Sequence, residues 1–222
     1  MPHRSDTSRS REWHIIKMIS AGSLAEGVVG AASGAVSIIG LFGIYPEIML
    51  SVATIGAGSA LLLQGGTVAE RLSVMMGKAD EIRIESSELG SGMVAEFLGG
   101  STGVVLGVLS LMGVSPAILL PCAVIVLGIT LLLASGISAH LHASVIHRTG
   151  ESEYVRRVSS QSAASAAGAQ LLIGTGALAL GIIALSGTRP ITLSLAAMLG
   201  LGVSDLLSGT AIAARLMRPF QR

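Results

Sequence analysis

One pattern limits what this chain can fold into: an apolar helical hairpin, written three times. Its clearest copy is Gly92 to Ala139, GMVAEFLGGSTGVVLGVLSLMGVSPAILLPCAVIVLGITLLLASGISA, two apolar runs joined by a short turn at Val114-Ser115-Pro116. When Pro46, Pro116 and Pro190 are superposed, the copies align without a gap. Twenty residues before each proline stands Glu26, Glu96 or Gln170, each preceded by an alanine and followed four residues later by Gly30, Gly100 or Gly174. Twelve residues past each proline come Gly58, Gly128 and Gly202. This is an internal repeat of roughly 70 residues.

Composition decides where such a hairpin can live. The 222 residues are 51% hydrophobic and only 12% charged, about half the charge of a soluble domain. A water-soluble fold would lack a polar shell. Each apolar run is about 20 residues long, enough to cross a bilayer core of about 30 Å as a helix. The expected fold is all-α: a polytopic membrane protein with six transmembrane helices, arranged as three tandem hairpins with a pseudo-threefold repeat.

The expected divisions are a cytoplasmic tail at 1–17, hairpins at 18–72, 91–142 and 165–216, connections at 73–90 and 143–164, and a tail at 217–222. The connection at 73–90 is charged and of mixed sign, and reads either as a short amphipathic surface helix or as a solvated loop. The first apolar run is not read as a cleaved leader, because it contains Glu26 and its pattern returns twice. Trp13 and Lys17 read as an interfacial lead-in to it.

Orientation follows from the cations. Of the 14 lysines and arginines, only Arg189 falls on the hairpin-turn side. The positive-inside rule then puts both termini in the cytoplasm, which for a bacterial protein means the inner (plasma) membrane. A net charge of +1 gives no electrostatic case for nucleic acid. The expected partners are the lipid bilayer and a membrane protein partner or further copies of the chain.

Along the first helix of the second copy, Gly92, Glu96, Gly100, Gly103, Gly107, Ser110 and Gly113 recur every three or four residues and share one face. The other copies show the same face, small everywhere except at Glu26 and Gln170. Gly58, Gly128 and Gly202 mark a matching stripe on the second helices. Small faces let membrane helices approach closely, which is how they gain packing energy. The expected packing residues are therefore Gly30, Gly100, Gly174, Gly58, Gly128 and Gly202, with Val104, Leu106 and Leu109 pointing away.

The polar residues on these faces are the candidate site: Glu26, Glu96, Gln170, Asp205 and Gln64. An ionised carboxylate costs several kcal/mol at the bilayer centre and less near the interface. Folding the third hairpin about its turn predicts an Asp205–Gln170 hydrogen bond. The same operation sets Gln64 level with Glu26, and Thr130 or Ser135 near Glu96. These groups read either as interhelical hydrogen-bond partners or as a proton or cation site.

His140, His142 and His147 are weak metal candidates. The spacing supports no metal site, and no cofactor is expected. Cys122, the only cysteine, reads as a small packing residue. Glycine-rich stretches lie within helices with no preceding strand, so they read as packing and not as nucleotide loops. The chain is not expected to be an enzyme.

The segments GVVLGVLSLMGVSPAILLPCAVIVLGITLLLASGIS and GAVSIIGLFGIYPEIMLSVATIGAGSALLLQGG resemble the HdeD-type short-repeat membrane proteins of bacteria. That resemblance implies an inner-membrane protein associated with acid resistance, in a family without an established molecular activity. Glu26 and Glu96 are not motif residues of that family, and the charged connections here are longer than the family suggests. The function expected is structural: a small stress- or acid-related protein that stabilises the membrane or a neighbouring complex. The alternatives are a proton or cation conductor using the buried carboxylates, and an accessory subunit of a larger complex.

Overall fold

A computed structural model describes the backbone of residues 25–76, 85–145 and 153–217, and the side chains of 25–64, 94–135 and 168–208. Six helices make up these segments: α1 (Ala25–Leu41), α2 (Pro46–Met76), α3 (Glu85–Leu111), α4 (Pro116–Val145), α5 (Glu153–Leu185) and α6 (Pro190–Met217). The described residues contain no strand. Helices α2 to α6 each hold a stretch long and apolar enough to cross a membrane. The described part of α1 is equally apolar but has 17 residues, about 25 Å of helix.

The region 73–90 is largely helix: α2 runs through Met76 and α3 starts at Glu85. Residues 77–84 lie outside the described residues, as do the tails 1–17 and 218–222.

The short connections between α1 and α2, α3 and α4, and α5 and α6 share one backbone design. Each first helix ends at a glycine with positive φ: Gly43 (86°), Gly113 (85°) or Gly187 (89°). Its N–H donates back to the carbonyl three residues earlier, at Gly40, Ser110 or Ala184. In the second turn the Val114 N–H also reaches the Leu109 carbonyl, completing the helix stop that a left-handed glycine permits. Each following helix begins on proline, whose missing N–H costs nothing at the first helical position. Gly43, Gly113 and Gly187 are thus turn residues, with nothing for a side chain to touch within 4 Å. They do not extend the packing face.

Helices α2, α4 and α6 all touch one another and form the centre. Around them, α3 lies against α2 and α4, and α5 lies against α4 and α6. Helix α1 spans the remaining gap. Gly30 and Gly40 meet α6 at Gly202 and Leu195, while the Ser33 hydroxyl donates 2.8 Å to the Ala53 carbonyl of α2. The result is a closed ring in which every outer helix bridges two inner ones.

The inner helices fill the centre. Positions four, eight, eleven and fifteen past the prolines are Leu50, Leu120 and Ser194; Thr54, Val124 and Met198; Ala57, Leu127 and Leu201; and Leu61, Leu131 and Asp205. All of them are buried, and the apolar ones all belong to one continuous core. Large apolar side chains cover the outside as well, among them Phe42, Phe97, Val105, Leu172 and Ile182. An apolar surface this extensive is far beyond what a water-soluble monomer exposes, and it suits lipid.

Candidate functional site

Three glycine pairs set the register of the ring. Gly58 of α2 faces Gly100 of α3, Gly128 of α4 faces Gly174 of α5, and Gly202 of α6 faces Gly30 of α1. In each pair a Cβ added to one glycine would stand 2.6–3.1 Å from the partner's carbonyl oxygen. All six glycines lie in these contacts, and each pair joins two helices that no short turn connects. Val104 departs from expectation. Its backbone N–H and side chain abut Gly58, so it borders the contact and does not point away from it.

That register places the acids. Glu26 lies one turn before Gly30 on the same face of α1. A Cβ on Gly30 would stand 2.5 Å from the Cβ of Asp205, so Asp205 is turned toward α1. Glu96 holds the equivalent place on α3, one turn from Gly99, which packs on Thr130 of α4. Glu26 and Asp205 thus flank the contact between α1 and α6, and Glu96 stands at the level of Glu26, twenty residues before its own proline. Their exposures are 1%, 4% and 8%.

The predicted Asp205–Gln170 hydrogen bond is not formed. Gln170 instead donates to the Ser208 hydroxyl at 3.0 Å, one turn further along α6. The physical reason is the glycine register: Asp205 follows Gly202 by three residues, and Gly202 packs on α1, not on α5. Gln170 and Ser208 are thus an interhelical pair of the structural kind. Gln64 is half-buried on α2 and has an interaction of its own.

Among the described residues, both carboxylate oxygens of Glu26, Oε2 of Glu96 and Oδ2 of Asp205 are buried without a hydrogen-bond partner. Where side chains are described, the only cation is Arg189, exposed in the turn at the opposite end of the bundle. A buried charge is strongly unfavourable unless it is paired or neutralised. The described residues hold no group of three histidine, cysteine or acidic side chains able to bind a metal ion. The side chains of His140 and His142, and all of His147, lie outside the described residues.

Sequence reasoning missed several buried hydroxyls. Ser51 and Ser110 bond to each other at 3.0 Å across α2 and α3, and Ser194 and Ser204 are buried without partners among the described residues. One signal was available: Ser110 and Ser51 lie six before and five after their prolines, the same level of the fold.

Fold and site together define a polytopic helical membrane protein with a buried acidic cluster. No protein-family model, no curated protein and no solved structure matches the chain.

Proposed function

We propose that this chain is a structural protein of the bacterial inner membrane, with both termini in the cytoplasm. In this reading it is three tandem copies of one helical hairpin, closed around a pseudo-threefold axis. It acts by stabilising the bilayer or a neighbouring membrane complex and not by catalysis. What supports a link of that role to acid stress is the resemblance of the sequence to HdeD-type proteins.

The observation that carries the reading is the filled centre. From Leu50, Leu120 and Ser194 to Ala57, Leu127 and Leu201, every central position is occupied by a side chain at most 3% exposed. Interiors packed in this way leave few voids larger than a water molecule. Support for three related copies comes from the matching turns, with φ near +86° at the glycine and near +40° two residues later in each, and from the three glycine pairs.

The test is reconstitution into liposomes holding a pH-sensitive dye, with a potassium gradient and valinomycin as the driving force. A structural protein should leave the proton leak of empty vesicles unchanged. A protein-dependent flux that disappears in Glu96→Gln would transfer the assignment to a proton conductor.

A further inference from the structure

Asp205 stands where the other two inner helices carry leucine. It lies fifteen residues past Pro190, and the same step from Pro46 and Pro116 reaches Leu61 and Leu131. All three positions are at most 4% exposed. An acid at an otherwise aliphatic position of a packed centre breaks the local pattern at a free-energy cost, as functional positions do. The outer helices bring two more acids to the same end, and four oxygens of the three carboxyls are buried without partners among the described residues.

Neighbouring helices supply no compensating charge where side chains are described. At this level α2 offers Gln64, α4 offers Thr130 and Ser135, α5 offers Gln170, and α6 adds Ser204 and Ser208. Glu70 and Arg71 of α2, Glu85 and Glu88 of α3, His140 and His142 of α4, Glu153, Arg156 and Arg157 of α5 and Arg215 of α6 lie further toward the same end, on helices whose backbone is described. Buried carboxylates with no counter-charge call for a bound positive charge to neutralise them.

We propose that Glu26, Glu96 and Asp205 form a proton-binding site, open to exchange only from the end of the bundle that carries the inter-hairpin connections. The described residues hold no three-ligand metal group, whereas a proton needs only a single carboxyl oxygen, and unpartnered oxygens are what each acid offers. Sidedness follows from position. Fifteen helical residues separate Asp205 from the turn, about 22 Å, and this distance is filled by Leu127, Leu201, Val124, Met198, Leu50 and Leu120. Protons thus reach the cluster from the near end and stop there. This is a proton-loaded element of the bundle and not a route across it.

The experiment is infrared difference spectroscopy of the full chain in lipid nanodiscs. It follows the carbonyl stretch of protonated carboxyl groups, which moves on transfer to D2O. Spectra are compared for the parent, Glu26→Gln, Glu96→Gln, Asp205→Leu and the triple variant, across the pH range in which each stays folded by circular dichroism. At neutral pH, where solvated carboxyls are ionised, the parent should show a carboxyl band that each single variant loses in part and the triple variant loses entirely. Asp205→Leu restores the residue of the other two inner helices, so it keeps the test informative if the triple variant does not fold. A band unchanged in Asp205→Leu overturns the proposal. So does a band that appears only when sodium and potassium are replaced by a bulky organic cation, because the balancing charge is then a metal ion.

Discussion

At the scale of single residues, glycine does three different jobs in this protein, and one substitution separates two of them. Gly58 lies against the backbone of α3: a Cβ there would stand 2.6 Å from the Gly100 carbonyl oxygen and 2.9 Å from the Val104 nitrogen. Those are backbone atoms, so the helices must move apart. Gly176 also lies within a helix, but nothing stands within 4 Å of its would-be Cβ. Alanine is the better helix former by roughly 1 kcal/mol. Gly176→Ala should therefore stabilise the bundle by up to that amount. Gly58→Ala should destabilise it, because overpacking costs of about 1–3 kcal/mol exceed the propensity gain. Thermal unfolding of both variants in one detergent is the measurement. If both raise the melting temperature, the glycine pairs are not tight contacts.

At the scale of the elements, the third use of glycine is conformational. Gly113 has φ of +85° and empty space around it, so a side chain there meets strain and no clash. Gly113→Ala should cost about 1–2 kcal/mol, the penalty of left-handed backbone for a residue with a Cβ. Ser115, at φ of +38°, already bears part of that penalty, and Ser115→Gly should recover some of it. Denaturation of the two variants against the parent reads both signs, and a neutral Gly113→Ala would show that the turn rearranges freely. The turns were legible in the sequence from their prolines, which act on their own backbone, but Gly113 was assigned to the packing face when its positive φ makes it the helix stop. The partner of each helix was not legible. The small faces of α1, α3 and α5 look alike in sequence, so no face says which other face it will meet. Folding each hairpin onto itself placed Asp205 beside Gln170, whereas closure of the ring turns it toward Gly30 and leaves Gln170 with Ser208. The acids were legible as buried, since Glu26, Glu96 and Asp205 interrupt small faces. Their gathering at one place depends on α1 reaching α6 across most of the chain.

For the whole molecule, the proposed orientation sets an outcome that packing alone does not. The bundle has two ends. One carries three tight turns, and among them Arg189 is the only lysine or arginine; Arg71, Arg156, Arg157 and Arg215 lie on described helix ends at the other, and the remaining cations fall in sequence between or beyond the helices. Cations are retained on the cytoplasmic side of a membrane, so the turns should face outward. Ser115 is exposed at its turn, as is Thr188, and either can be changed to cysteine after Cys122→Ala removes the half-buried native thiol. In intact cells an impermeant thiol reagent should label cysteine at position 115 or 188 and should spare cysteine placed at Ser152 in the connection between the second and third hairpins. Permeabilised cells should label all three. The pattern also bears on the proton site, because the acids lie about 22 Å of helix away from the turns. Turns facing outward would put the proposed proton site within reach of protons from the cytoplasmic side. Labelling at Ser152 from outside, with none at Ser115, would invert the molecule and assign the cluster to the external face.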